Sequence, residues 1–518
     1  MKNLKFFLLG LIVVSLAILP AQGFAKSDTI VYGTTEKVID MDPANAYDFH
    51  TWEIFYNIYQ GLMTYPPGST ELVPALAESY DIGADGKEYT FKLREGLKFS
   101  DGTPFDADAV KWSIDRVIAL KGDPSWLVTD FVDHVEVAGK YAVKFVLKNP
   151  VAYFPSLVAS CPYFPVNPNV YPKDKIIRDP SELKGGKLVG LGPYNVVSFK
   201  RDQEIVMDAN PNYYGDQPST KRIVIRYFAD ATTMRLALEK GEIDIAFKTL
   251  NPSDISDLEK SDKVNTIKAQ GPYIRYLCFL CAEPPFKDKA LRQAVTAAIN
   301  RPEIMQKVFL GQNAPLYSMV PMGMWSHTDE FKSVYGDGNI QKVKKLLTSK
   351  GYNEGNKFEF DLWYTPSHYG DTEVDMAAVL KAQLEKTGVM KVNVKSAEWA
   401  TYRDQWHNKQ MPCYLLGWYP DYIDPDNYTA AFAGTAGSAG MGIYFSDPEW
   451  DKILTQGQTV PDMNKRIEIY KEIQRMWAED IPTAPIFQGT LYVFTQKTVH
   501  GVKLSPTLRF NYDPLYKD

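Results

Sequence analysis

The sequence predicts a mixed α/β protein built from several domains. The chain has 518 residues, which at roughly 150 residues per domain allows about three. Short stretches of strict alternation recur along it: Ile223, Ile225 and Tyr227 within 222–228, and Val143, Phe145 and Leu147 within 141–148. Between such stretches lie apolar stripes of helical period. Val110, Ile114, Val117 and Ile118 form one after Pro104, with Asp106 placed to cap it. Helices are expected at 231–240, stopped by Gly241; at 302–310, opened by Pro302 and closed by Gly311; at 372–387 before Gly388; and at 464–478, with Ile467, Tyr470, Ile473 and Trp477 on one face. Asp85-Gly86 predicts a hairpin between 78–82 and 88–98. Residues 276–281 and 413–418 read as strands, and the odd spacing of Cys278 and Cys281 would put their sulfurs on opposite faces. No internal repeat, heptad or low-complexity linker interrupts the pattern.

Composition narrows the function classes. The chain is 45% hydrophobic and 23% charged, with a net charge of −6. That is a soluble globular composition without the basic excess that nucleic-acid partners require. Aromatic residues make up 13%, enough to line a large ligand cavity as well as a core. Lys2 and Lys5, the apolar run from Phe6 to Leu19, and the ending Gly23-Phe24-Ala25 read as an export signal cleaved after Ala25. No cysteine follows it to carry lipid, so a soluble periplasmic protein is expected. Cys161, Cys278, Cys281 and Cys413 are an even set in an oxidising compartment. Buried thiols or one structural disulfide are the readings.

Catalytic signatures are missing. The six histidines form no i, i+4 pair, and no H-E-x-x-H, P-loop or G-x-S-x-G occurs. Gly190-Leu191-Gly192-Pro193 lacks the third glycine of a dinucleotide fingerprint. Carboxylates are plentiful, but no spacing singles out a glycosidase pair. The cluster Asp421, Asp424, Asp426 and Asn427 follows the expected strand 413–418. It lacks the central Gly and terminal Glu of an EF-hand loop. A calcium loop, a surface turn and a ligand anchor are its three readings. No cofactor and no metal is expected, and no enzymatic activity.

Several stretches, in order, carry a resemblance. They are Met41-Asp42-Pro43, the segment 72–80 (LVPALAESY), the long run 89–105 (YTFKLREGLKFSDGTPF), Gly192-Pro193-Tyr194, 210–214 (NPNYY), 292–301 (RQAVTAAINR) and Gly417-Trp418-Tyr419-Pro420-Asp421. The chain resembles the family 5 extracellular solute-binding proteins, the oligopeptide- and dipeptide-binding subunits of ABC importers. Leu191 departs from the threonine usual in the family's Gly-Thr-Gly-Pro-Tyr turn. The resemblance implies a two-lobed fold of three domains, with mixed β-sheets flanked by helices and a hinge between lobes. Domain I comprises 26–67, 188–274 and 487–518, domain II 68–187, and domain III 275–486. A monomer is expected, delivering a peptide enclosed between the lobes to membrane permease subunits.

The same resemblance assigns the site. The acid that anchors a peptide ammonium corresponds to Asp421. Gly417 and Tyr419 would pair with the peptide backbone, opposite a facing segment that includes Tyr47, Asp48 and Phe49. Trp399 and Trp418 keep the family's spacing of pocket tryptophans, and Trp406 and Phe487 complete the expected set. Relatives that bind dipeptides hold the ligand carboxylate with an arginine before the helix at 372–387. Residues 364–371 contain none, and Trp406 and Leu415 stand where oligopeptide-binding relatives have arginines. The pocket is therefore expected to be aromatic and poor in cations, favouring longer peptides. The alternative is the same fold binding an oligosaccharide or other uncharged solute, and a secreted hydrolase using two carboxylates is the reading from another class.

Overall fold

The computed structural model describes residues 28–518 apart from Ser367, Ser505, Pro506 and Leu508. The expected export signal lies outside the described residues. Among the described residues, no helix is long and apolar enough to cross a membrane.

In chain order the principal strands are β1 (Thr29–Thr34), β2 (Ala77–Ile82), β3 (Glu88–Leu93), β4 (Val132–Gly139), β5 (Ala142–Leu147), β6 (Tyr194–Lys200), β7 (Glu204–Ala209), β8 (Arg222–Tyr227), β9 (Ile245–Phe247), β10 (Val264–Phe279), β11 (Phe358–Tyr364), β12 (Met390–Ser396), β13 (Cys413–Trp418) and β14 (Thr483–Gln496). Strands β2-β3-β5-β4 form a small antiparallel sheet. The others form one large mixed sheet in the order β12-β11-β13-β10-β14-β9-β1-β8-β7-β6, with the short strand Ala314–Pro315 against β14. The alternation read from the sequence is realised: Val143, Phe145 and Leu147 in β5 and Ile223 and Ile225 in β8 are buried. The Asp85-Gly86 turn joins β2 to β3, with Gly86 at φ 71°, a left-handed conformation that glycine adopts without strain.

Two helices position the site. Helix α1 (Phe49–Ile58) starts at Asp48, whose Oδ1 accepts the Thr51 amide at 2.7 Å. Helix α2 (Ala107–Leu120) starts at Asp106, as its composition predicts, and buries Val110, Ile114 and Val117. The helices expected at 231–240, 302–310, 372–387 and 464–478 occupy Ala231–Glu239, Arg301–Phe309, Thr372–Glu385 and Met463–Asp480.

Packing separates the molecule into two main bodies. One core runs from Ile30 to Phe247 and takes in residues from Leu491 onward. The other is drawn from residues between Ile274 and Phe487. The long strands β10 and β14 run through both. Their pairing is regular from Val264↔Gln496 to Gln270↔Thr490, and it resumes at Ile274↔Gln488 and runs to Cys278↔Thr483 with a second shift between Arg275 and Tyr276. Between these stretches the register shifts at Gly271, Pro272 and Tyr273. An irregularity of this kind bends a strand and loosens its ladder, so the bodies have a pivot there. The Tyr273 ring lies over Gly489 on β14: a Cβ at 489 would fall 1.7 Å from its Cζ. Gly489→Ala is therefore expected to push Tyr273 out of place and weaken ligand-driven closure. Small-angle scattering with and without ligand would read this as a smaller contraction than in the wild type.

The four cysteines are buried free thiols. Strand β10 ends at Phe279, so Cys281 lies just beyond it and the opposite-faces reading applies to one of the two only. Cys413 stands opposite Phe279 in the neighbouring strand, diagonal to Cys278, without a bridge. Burial pushes the Cys281 thiol up to about 11 and raises the other three well above the ordinary thiol value. An exposed-thiol reagent is expected to react with none of them in the native protein and with four after denaturation without reductant.

Candidate ligand-binding site

The segments before α1 and after β13 approach one another from the two bodies. Strand β13 pairs antiparallel with β10 from Phe279↔Cys413 to Ile274↔Trp418. On its other edge, β11 pairs with it only at Cys413 and Tyr414. From Leu415 onward that edge has no strand partner, and tyrosine hydroxyls meet its carbonyls instead. Tyr402 donates to Leu415 O at 2.9 Å, and Tyr369 to Gly417 O at 3.3 Å.

Asp421 lies where the chain leaves this strand. It is 4% exposed. Its Oδ1 accepts the Tyr47 hydroxyl at 2.8 Å, across from the other body. The Asp421 amide donates to Asn427 Oδ1 at 3.1 Å, and the Trp418 indole donates to the same oxygen at 3.0 Å. One amide side chain thus fixes both the acid's backbone and the neighbouring tryptophan. No Lys, Arg or His among the described residues lies within salt-bridge distance of Asp421. Burial pushes its carboxyl up to about 6, while the bonds from Tyr47 and Asn427 pull the other way.

Aromatic rings build the surrounding wall. Tyr419 stacks on Tyr273 of the pivot at 5.1 Å and meets Phe49 at 4.5 Å. Trp399 is half-buried, with the exposed His368 ring parallel to it at 3.6 Å. Trp418 packs edge-on against Phe432. Trp406 stands behind Trp399, buried among Tyr402 and Tyr414, and Phe487 is buried against Phe309 in the second core. Asp48 commits Oδ1 to capping α1, and its buried Oδ2 has no hydrogen-bond partner. Tyr47, Asp48, Phe49, Gly417, Trp418, Tyr419 and Asp421 therefore converge. Trp399 belongs to the adjacent wall, while Trp406 and Phe487 lie deeper.

One buried cation that the sequence reading did not place stands beside this strand, paired with an acid. Arg275, 3% exposed, stands opposite Gly417 in β10, with its guanidinium 3.9 Å from the Tyr369 ring centroid. Its Nε is 3.3 Å from Glu373 Oε1 at the start of the helix Thr372–Glu385. Local comparison with the motif around residues 364–371 missed it because the cation arrives from a paired strand about a hundred residues away. Its position also explains Gly417. A Cβ there would lie 2.0 Å from Arg275 Nη1, so Gly417→Ala is expected to displace the arginine and weaken binding at least tenfold by calorimetry.

A second contact between the bodies lies beyond Asp421. Tyr153 stacks on Tyr422 at 5.1 Å with planes 5° apart, and the Ala152 amide donates to Gln458 O at 2.8 Å. Below it, Arg466 grips both oxygens of Asp424, at 2.8 and 3.0 Å. Asp424 is thus engaged by an arginine rather than arranged as an open loop ligand. Asp426 accepts the Tyr422 hydroxyl at 2.9 Å. No group of three or more His, Cys, Asp or Glu suited to a metal ion occurs among the described residues.

The overall fold is matched in known proteins. The chain is 28% identical to heme-binding protein A of Haemophilus influenzae, covering 96% of this chain and 93% of that protein. It is 29% identical to a dipeptide-binding protein of Pseudomonas aeruginosa, covering 87% and 88%. The crystal structure of a Pseudoalteromonas dipeptide-binding protein in complex with Met-Leu superposes with a TM-score of 0.78 at 24% identity, over 95% of this chain and all of that one. The model of the bacterial extracellular solute-binding proteins, family 5, matches residues 71–440. With its two-lobed α/β architecture, the chain belongs to that family.

Proposed function

We propose that this protein captures short peptides between its lobes, outside the cytoplasm, and presents them to the permease subunits of an ABC importer. Family membership supplies the coarser part: an extracytoplasmic solute-binding protein rather than an enzyme. The observation that carries the peptide reading is Asp421. A buried carboxylate without a cation, at the contact between two lobes, is costly unless a positive group completes it. A peptide ammonium has that charge, and the Tyr47 hydroxyl marks the hydrogen-bonding position on Oδ1 that it would share. The edge of β13 beyond Tyr414 has no strand partner, and an extended backbone would take the place of the Tyr402 and Tyr369 hydroxyls there, as in strand addition. Domains I and II would form one lobe and domain III, 275–486, the other. The second core, drawn wholly from between Ile274 and Phe487, supports that division.

Calorimetric titration of the mature protein with di-, tri- and tetra-alanine, maltotriose and hemin tests this. At least one peptide is expected to bind with micromolar or tighter affinity, and the neutral sugar not at all. Binding of maltotriose or hemin without any peptide would overturn the reading; the Trp399–His368 pair would then be the sugar platform to examine first.

A further inference from the structure

Asp421 has a counterpart of opposite charge. Arg509, near the carboxyl end of the chain, is 7% exposed. Its guanidinium lies 4.1 Å from the Tyr56 ring centroid and 5.1 Å from that of Tyr65. Nη1 donates to Thr64 Oγ1 at 2.9 Å, and Nη2 donates to the Ala159 carbonyl. No Asp or Glu among the described residues lies within salt-bridge distance of it, and the residues outside the description contain neither. The other deeply buried arginines differ. Arg116 is paired with Asp42, Arg275 with Glu373 and Arg466 with Asp424, while Arg292 caps the carbonyls of Asp480 and Ile481. Arg301 has Asp337 at 3.9 Å.

The place of Arg509 follows from α1. Every residue of that helix is buried except Phe49 and Tyr56. Seven residues apart, they lie on one face, about 10 Å apart along the axis. Phe49 meets Tyr419 at the Asp421 end, and Tyr56 lies under Arg509 at the other. Both charges act on the Tyr56 hydroxyl: beyond the dominant effect of burial, Arg509 pulls its pKa down and Asp421 pushes it up. One strip of wall thus has a bare anion at one end and a bare cation at the other.

We propose that Arg509 is the carboxylate-binding end of the ligand site, so that a zwitterionic peptide lies along the Phe49–Tyr56 face with its ammonium at Asp421. This rests on the peptide reading above and adds a length limit to it. At about 3.3–3.6 Å per extended residue, the strip suits two or three residues. The guanidinium gains the forked partner it lacks, and the Tyr56 and Tyr65 rings keep water away.

Calorimetry with tri-alanine, tri-alanine amide and N-acetyl-tri-alanine tests the assignment on wild type, Arg509→Gln and Arg509→Lys, with folding checked by circular dichroism. In the wild type the free acid is expected to bind about 100-fold more tightly than the amide, within the range for truncating one member of a buried pair. In Arg509→Gln that ratio should fall to near one, while the preference for a free over an acetylated amino terminus persists. Arg509→Lys keeps the charge but loses the fork, and its ratio should fall at least tenfold; this variant decides the matter if Arg509→Gln does not fold. Equal binding of acid and amide by the wild type, or an unchanged ratio in the variants, would overturn the assignment while leaving peptide binding intact. No binding of any of the three peptides would instead overturn the peptide reading itself.

Discussion

Asp421→Ala is expected to lower peptide affinity by about 30- to 4000-fold, the equivalent of about 2–5 kcal/mol for truncating one partner of a buried charged pair. The acid lies at 4% exposure, so the ion pair it forms with a ligand is little screened by solvent. Asp421→Asn should be nearly as harmful, because the amide keeps the shape and loses the charge. It is also the cleaner test of folding. The alanine variant strands the Tyr47 hydroxyl, whereas asparagine still offers it an oxygen. Affinity should depend on pH with a definite sign. Burial pushes the Asp421 carboxyl up to about 6 in the unliganded protein, and an ammonium partner favours its ionised form. Binding below pH 6 therefore releases a proton, and affinity falls as pH drops through that value. Between pH 7 and pH 5 the loss should be about tenfold, with the peptide amine largely protonated across that range. Calorimetry across this range on wild type and Asp421→Asn checks both effects. An affinity unchanged in the variants would remove Asp421 from the site, and one that rises on acidification would refute the linkage.

How far the sequence reached depended on whether a property was local. Helix α2 was legible because its cap, stripe and stop all lie within 106–121. Strand β13 matched at both ends, because a run of apolar residues ends there at a Tyr-Pro turn. Tyr419 and Asp421 belong to the Gly417–Asp421 motif, Tyr47 and Phe49 to the facing segment that the resemblance implies, and the structure brings the four together. Arg275 and Arg509 were not legible in this way. Each becomes part of the wall only through pairing or packing across large sequence separations: Arg275 through its register with Gly417, Arg509 through its fit over Tyr56. Nothing within ten residues of either distinguishes it from a surface arginine. Trp406, which stands where oligopeptide-binding relatives have an arginine, packs one layer behind Trp399, because helix Trp399–His407 turns it toward Tyr414.

The largest loss of stability is expected away from the site, at Asp42. The motif Met41-Asp42-Pro43 helped to identify the family, and the structure supplies a reason for its acid. Arg116 of α2 binds both oxygens of Asp42, at 2.8 and 2.6 Å, and both side chains are almost fully buried. Asp42 also accepts the amides of Ala44 and Ile177, and Arg116 donates to the carbonyls of Pro172 and Lys175. One ion pair thus ties the segment before α1, helix α2 and the 172–177 loop together. Asp42→Ala leaves a buried guanidinium without its anion and two buried amides without acceptors. Breaking such a pair costs about 3–5 kcal/mol, which for a lobe of this size corresponds to a fall in Tm of about 10 °C. Arg116→Met should cost a similar amount by leaving the carboxylate bare. The double variant Asp42→Leu, Arg116→Met should recover much of the loss, because the expense comes from the unpaired charge rather than from the missing attraction. Calorimetric unfolding of the two single variants and the double separates these terms. A loss below about 1 kcal/mol in Asp42→Ala would show that water or backbone movement relieves the stranded arginine. A double variant worse than either single one would place the stabilisation in the amide and carbonyl bonds around the pair.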